Sequence, residues 1–252
     1  MIKVLGAASV VLGLTAASVG HAEPISYVAA LAPENNSGVS GTAQLTLNDN
    51  LLTVHILATG LVPDQMHMSH IHGLVGPAAP NTSLPPPTAD TDHDGYIEVP
   101  EATPYVGPPI FDLPQTLSPK AYSTAPGGVI DFTQTYDITD TSLYDPLGLG
   151  LSLTPADILG VTGGNTTPLV DRVIELHGEN VPVGVGAGTP GEVHGQGGYI
   201  AEVPVAAGFI QLVGAGGVAV PEPGTLIMVL TGLAGLAACG FGGIACDDGA
   251  MA

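Results

Sequence analysis

The sequence contains few basic residues and few aromatic residues. Lysine and arginine together number 3 in 252 residues, against 23 aspartate and glutamate residues, and the formal net charge is -20. Three basic side chains cannot neutralise a run of phosphates, so nucleic-acid binding is not expected. They also give no polybasic attraction to an anionic lipid surface. Tryptophan is absent and aromatic residues make up 4% of the chain, which argues against recognition by stacking.

Cysteines and common nucleophile motifs are also scarce. The 2 cysteines, Cys239 and Cys246, both lie close to the C-terminus, so the preceding domain is thiol-free and has no internal disulfide. The sequence has no Gly-x-Ser-x-Gly motif, and the glycine-rich stretch 184–198 lacks the lysine and helix of a phosphate-binding loop. These absences argue against a hydrolase, and no residue is assigned a catalytic role.

What the chain does contain favours an all-β domain. Hydrophobic residues make up 45% of the sequence, enough for a core, and the 36 glycines and 23 prolines suit many turns and long loops. In strand 51–61, Leu52, Val54 and Ile56 share one face and His55 points to the other. Further strands are predicted at 26–31, 41–47, 129–136, 172–177, 199–207 and 207–213. Residues 154–159 are predicted as one short helix, with Thr154 as its cap. We therefore predict an antiparallel β-sandwich with long loops over residues 23–218.

The two ends of the chain are predicted to lie outside this domain. Residues 1–22 combine Lys3, an uncharged run and the small residues Gly20 and Ala22, which is typical of a secretory signal peptide. At the other end, residues 224–245 carry no charge and are long enough for a transmembrane helix.

The C-terminal segment 219–252 resembles the PEP-CTERM sorting signal of Gram-negative bacteria. It has a Pro221-Glu222-Pro223 motif followed by the hydrophobic helix, but it lacks the basic cluster that ends such signals. The resemblance implies processing near Pro221 by an exosortase-type sorting machinery, a transient partner. The alternative is a simple C-terminal membrane anchor.

An acidic segment at 90–101 has the spacing of an EF-hand calcium loop. The oxygen donors at loop positions 1, 3, 5, 7, 9 and 12 are Asp90, Asp92, Asp94, the Tyr96 carbonyl, Glu98 and Glu101. Gly95 at position 6 allows the sharp turn. Prolines at 85–87 and at Pro100 predict that neither flank is a normal helix, so the pattern indicates a lone calcium loop in a β-domain. The alternative is a solvated acidic loop.

Three histidines are candidates for a transition-metal site. On a strand, His70 and His72 project to the same face, the geometry in which two imidazoles share one metal ion. His177 lies at the end of another predicted strand. Three neutral imidazoles suit copper or zinc. The alternative is that they are ordinary polar residues at strand ends, the reading that we also give to His55, His67, His93 and His194.

Two family resemblances follow from these motifs. The stretch 27–73, with Gly-Thr-Ala-Gln-Leu-Thr-Leu and His-Ile-His-Gly, resembles a CHRD domain, a module of bacterial exported proteins. The motifs His-Ile-His-Gly, Val-Ile-Glu-Leu-His-Gly and the late Ala-Ala-Gly-Phe-Ile resemble Cu,Zn superoxide dismutase, which implies an eight-stranded Greek-key β-sandwich. His70, His72 and His177 would then match three copper ligands.

The sequence departs from the dismutase pattern at several points. The bridging histidine and the zinc ligands have no counterpart, the family's cysteine is Ala207, and its superoxide-attracting arginine is replaced by Pro204 or Val205. The net charge would also repel an anionic substrate.

These observations lead to three functional hypotheses. The first is an exported metal-binding module without turnover, located in the cell envelope or extracellular matrix of a Gram-negative bacterium. The second is a copper-dependent superoxide dismutase. The third is a structural surface protein that binds calcium alone.

Overall fold

The computed structural model describes residues 23–75, 83–161, 165–187 and 195–214. Antiparallel β-strands dominate this part of the chain, which confirms the all-β prediction. The strands are β1 (Ile25–Pro33), β2 (Ser40–Asn48), β3 (Leu51–Thr59), β4 (Ser69–His72), β5 (Pro109–Asp112), β6 (Thr116–Leu117), β7 (Lys120–Ala121), β8 (Val129–Asp137), β9 (Val173–Val181), β10 (Gly198–Phe209) and β11 (Gln211–Leu212).

Nine strands form one curled sheet, in the order β5-β4-β9-β10-β1-β2-β3-β8, with β11 paired to β1. Strand β1 joins the two halves of the sheet. Its residues up to Leu31 pair with β2, whereas Ala32 and Pro33 pair with β10. The two edge strands approach each other through a T-shaped contact between Phe111 of β5 and Tyr136 of β8, with ring centroids 6.1 Å apart. The curl therefore makes the fold sandwich-like, with the main core between the two halves.

The period-two pattern places the side chains as expected. In β3, Leu52, Val54 and Ile56 are fully buried, while His55 points outward and pairs with Asp131. Alternation along a strand sends successive side chains to opposite faces, so the apolar residues fill the core. The predicted last strand is interrupted at Ile210, which divides it between β10 and β11.

The helices confirm one prediction and correct another. Helix α2 (Pro155–Leu159) begins after the predicted cap Thr154. A second helix, α1 (Val99–Val106), begins within the acidic segment 90–101, so our prediction that neither flank is a normal helix was wrong for the C-terminal flank, whereas the other flank holds only a 3-10 turn at Pro87–Ala89. Pro100 lies in the first turn of α1, where its missing N–H would have had no partner in the helix.

The buried side chain of Arg172 connects several loops to the start of β9. Its guanidinium donates hydrogen bonds to four backbone carbonyl oxygens, and its side chain is 3% exposed. The acceptors are Ile158 at 3.1 Å, Leu74 at 3.3 Å, Asp171 at 3.0 Å and Asp157. One basic residue thus satisfies several loop carbonyls that would otherwise be buried without a donor.

The structure bears on neither end of the chain. The predicted signal peptide and the predicted C-terminal transmembrane helix fall outside the described residues. Within the described ranges, no helix has both the length and the apolar character needed to cross a membrane.

Candidate metal centre

His70, His72 and His177 converge on one side of the sheet. Each of the three rings offers a nitrogen, and these three nitrogens all lie within 4.8 Å of one another. The ring centroids are separated by 5.0 Å for His70 and His177 and by 5.5 Å for His72 and His177. All three residues are at most 1% exposed. The structure therefore brings His177 to the pair on β4, and the group has the spacing to hold a metal ion.

Strand pairing explains how residues more than a hundred positions apart meet. Strands β4 and β9 are antiparallel neighbours in which His70 lies opposite Glu175. Residues two apart on a strand share a face, so His72 follows His70, and His177 follows Glu175. The intervening residues, including Ile71, belong to the core on the opposite face.

Helix α1 and its C-terminal turn cover the histidine face. Ala102 and Val106 of α1 form a small apolar cluster with Val173 and Ala207 of the sheet. Gly107 caps the C-terminus of the helix and has φ +81°. A Cβ at this position would lie 2.1 Å from the carbonyl carbon of Gly73. The segment that follows the acidic loop thus seals the histidines from solvent.

Backbone carbonyls fix the tautomers of two rings. The Nδ1 of His72 lies 3.0 Å from the Gly107 oxygen, and the Nδ1 of His177 lies 2.6 Å from the Glu202 oxygen. A carbonyl oxygen can only accept, so each Nδ1 carries the proton and donates it. Each neutral ring then presents the lone pair of its Nε2, the atom that binds a metal ion.

The third ring, that of His70, lies beside the carboxylate of Asp112. His70 Nε2 lies 3.7 Å from Asp112 Oδ1, and Asp112 is itself fully buried. Tyr122 donates a 2.6 Å hydrogen bond to Asp112, and Lys120 forms an ion pair with it. Neither ring nitrogen of His70 has a hydrogen-bond partner among the described residues.

Burial keeps the three imidazoles neutral. Desolvation, followed by the charge of His177, lowers the pKa of His72 to about 3, and desolvation lowers the pKa of His177 to about 4. Desolvation and the neighbouring His177 and His72 lower the pKa of His70 well below its ordinary value. At neutral pH all three rings are therefore in the form that binds a metal ion.

Two carboxylates at this centre were missed by the sequence analysis. Glu175 Oε2 lies 3.1 Å from His72 Nε2 and 3.4 Å from His177 Nε2, and Glu175 is fully buried. Its position two residues before His177 places it on the same strand face and could have identified it. Asp112 gave no such signal, because it reaches the centre only through the pairing of β5 with β4.

The acidic loop forms a second group. The carboxylates of Asp90, Asp92 and Asp94 lie within 4.8 Å of one another, close enough to hold a metal ion together. The backbone N–H groups of Asp94, Gly95 and Tyr96 donate hydrogen bonds of 2.9–3.2 Å to these carboxylates. Gly95 has φ +92°, as the predicted sharp turn requires.

The other three predicted calcium ligands are not members of this group. Glu101 accepts hydrogen bonds from the backbone and hydroxyl of Thr91 at 2.7 Å and 2.6 Å. Glu98 is buried at the start of α1, and burial, with a hydrogen bond that it donates to Glu101 and the charge of Asp94, raises its pKa to about 9. The backbone of Tyr96 lies in the turn, where its N–H bonds Asp94.

A cleft of about 450 Å³ lies between the acidic loop and β1. Its lining includes Glu34, Asn35, Asp90, Ile97 and Pro204. Burial raises the pKa of Glu34 to about 7, an effect partly offset by a hydrogen bond with Glu175. The cleft thus presents acidic groups between the loop and the histidine centre, which suits cations better than anions.

The remaining histidines play other roles where the structure describes them. The ring of His67 contacts the carbonyls of His177 and Val62, both at 2.9 Å, and so supports the middle of β9. His93 lies in the acidic loop with φ +63°. His194 falls outside the described residues.

Comparison with known proteins identifies no relative. No model of a known protein family matches the chain, and a search of the curated proteins gives no significant match. The resemblances to CHRD domains and to Cu,Zn superoxide dismutase therefore stay predictions.

Proposed function

We propose that this chain is an exported metal-binding module in which His70, His72 and His177 hold a transition-metal ion, zinc or copper. One observation carries the proposal: three buried imidazoles converge with nitrogens that have no hydrogen-bond partner in the described structure. A buried polar atom without a partner is costly, and a metal ion would satisfy all three at once. No turnover is required of such a site.

The dismutase alternative receives less support from the same site. Superoxide is an anion, and its delivery benefits from an accessible cation near the metal. Of the two basic residues in the described ranges, Lys120 lies near the centre but is paired with Asp112, and Arg172 donates to backbone carbonyls. The three imidazoles are also almost completely covered. We therefore place the binding module first.

The proposal is tested by the metal content of the purified full-length protein. We expect about one zinc or copper ion per chain, and the His72→Gln/His177→Gln variant should bind at least about 100-fold more weakly, because it loses two ligands. His55→Gln, on an exposed strand face, is the matched control and should bind normally. Metal binding that is equal in all three proteins would overturn the proposal. Superoxide consumption by the copper-loaded protein would favour the dismutase instead.

We further propose that the loop 90–101 binds calcium and orders the cover of the histidine centre. The loop leads directly into α1, and the Gly107 carbonyl that follows α1 accepts a hydrogen bond from His72 Nδ1. Asn35 anchors the loop to the sheet by bonding both Ile97 and Pro204. A calcium ion would neutralise carboxylates that otherwise repel one another.

Calcium should raise the melting temperature of the full-length protein. The Asp90→Asn/Asp92→Asn variant should lose most of that increase, because it removes two charged ligands while keeping the side-chain shape. Asp64→Asn, which removes an exposed carboxylate from a different turn, should retain it. An equal response to calcium in all three proteins would show that the loop is not the binding site.

We also propose that residues 1–22 direct export and that the exosortase-type machinery processes the tail near Pro221. The hydrophobic segment 224–245 would otherwise hold the domain at the membrane of the cell envelope. Cell fractionation with mass analysis of both termini tests this, and a cytoplasmic chain that retains Met1 would contradict it.

A further inference from the structure

The position of Glu175 extends the metal centre proposed above, on which this inference rests. The Nε2 atoms of His72 and His177 carry lone pairs, since their Nδ1 protons are donated to the carbonyls of Gly107 and Glu202. The carboxylate oxygen of Glu175 is also an acceptor. It nevertheless lies 3.1 Å and 3.4 Å from these two nitrogens. Three acceptors at such short separations repel one another unless a proton or a cation lies between them.

The distances from Glu175 to His72 and His177 fit a tetrahedral metal site, although the ligand atoms that all lie within 4.8 Å of one another are those of the three histidines without Glu175. Zinc binds imidazole nitrogen and carboxylate oxygen at about 2.0–2.2 Å, and two ligand atoms of a regular tetrahedron of that size lie about 3.3 Å apart. Neither Nε2 makes a hydrogen bond despite its short distance to Glu175. This is expected of three acceptors, whose mutual repulsion a cation bound between them would remove.

We infer that Glu175 is the fourth protein ligand of the metal ion held by His70, His72 and His177. A site with four protein ligands is closed, and closed four-coordinate sites are typical of structural zinc. The glutamate also supplies one negative charge to a dication that would otherwise be buried with three neutral ligands. The centre would then be a structural site that leaves no coordination position open to a substrate.

Replacement of Glu175 with glutamine tests this in the full-length protein. With cobalt(II) as the probe, the wild type should give the intense visible absorption of tetrahedral cobalt, and azide should not change that spectrum. Glu175→Gln should bind cobalt and zinc at least about 100-fold more weakly than the wild type. Asp131→Asn is the control, because that carboxylate is exposed on β8 and pairs with His55 rather than with the centre.

The outcomes separate this inference from the proposed function. If the histidine variant loses the metal but Glu175→Gln keeps wild-type affinity and spectrum, the centre stands and Glu175 is not a ligand. If neither variant differs from the wild type, the proposed function itself fails. Should Glu175→Gln not fold, the wild type still decides: a cobalt spectrum that shifts with azide reveals an open coordination position and overturns the inference.

Discussion

The metal-free protein should lose stability steeply in mild acid because its histidines are buried in the neutral form. In the unfolded chain an imidazole titrates near pH 6.5. In the folded protein, burial lowers the pKa of His72 to about 3 and that of His177 to about 4. Between pH 6.5 and the lowered pKa values of the folded state, the unfolded state binds more protons than the folded state. The unfolding free energy therefore falls as the pH falls. Above pH 6.5 these two rings are neutral in both the folded and the unfolded state, so they no longer change the unfolding free energy with pH.

The expected change of the unfolding free energy with pH is large enough to measure by chemical denaturation. Each ring approaches a cost of about 1.4 kcal/mol per pH unit below pH 6.5, so the pair should cost about 3 kcal/mol between pH 6.5 and pH 5. The measurement compares the EDTA-treated wild type with His72→Gln/His177→Gln, in which this loss is absent. Buried carboxyls such as Glu34, whose pKa is raised to about 7, act in the opposite direction but are common to both proteins. Parallel pH profiles for the two proteins would contradict the prediction.

Replacing Arg172 with methionine should destabilise the domain by about 3 kcal/mol or more. Methionine keeps much of the apolar stem but removes every donor to the loop carbonyls of Ile158, Leu74 and Asp157. Each buried acceptor left without a donor costs about 1–3 kcal/mol. Urea denaturation at neutral pH measures the change in unfolding free energy.

Arg172→Lys is the comparison that identifies the cause. A lysine keeps the positive charge but cannot donate in several fixed directions, so it should recover only part of the lost stability. If lysine restored full stability, charge rather than hydrogen bonding would explain the role of Arg172. A loss below about 1 kcal/mol for the methionine variant would show that the carbonyls find other donors.

The centre and the loop are connected through backbone rather than through a shared ion. The acidic loop runs into α1, α1 ends at Gly107, and the Gly107 carbonyl fixes the tautomer of His72. We therefore expect order in the loop to influence the position of the His72 ring. For this reason the calcium and zinc experiments are informative together, and each should be repeated in the presence of the other ion.

Much of the architecture followed from the sequence alone. The alternation of apolar and polar residues in β3, with Val54 and Ile56 inward and His55 outward, is a local property that the pleat of a strand imposes. The cap at Thr154 is equally local. The spacing of His70 and His72 and of the three loop aspartates placed each set on one face or in one turn, because neighbours along the chain determine that geometry.

Only the tertiary structure decided which distant residues meet. His177 joins His70 because β9 pairs with β4 in one particular register, and Asp112 joins because β5 pairs on the other side. A shift of one residue would turn these side chains to the opposite face, and no local pattern specifies the pairing partner. The start of α1 at Val99, with Pro100 in its first turn, also escaped prediction, since a proline that breaks a helix interior is well tolerated in the first turn. The sequence by itself thus determined the strands and the three candidate histidines, while long-range pairing determined the candidate metal centre.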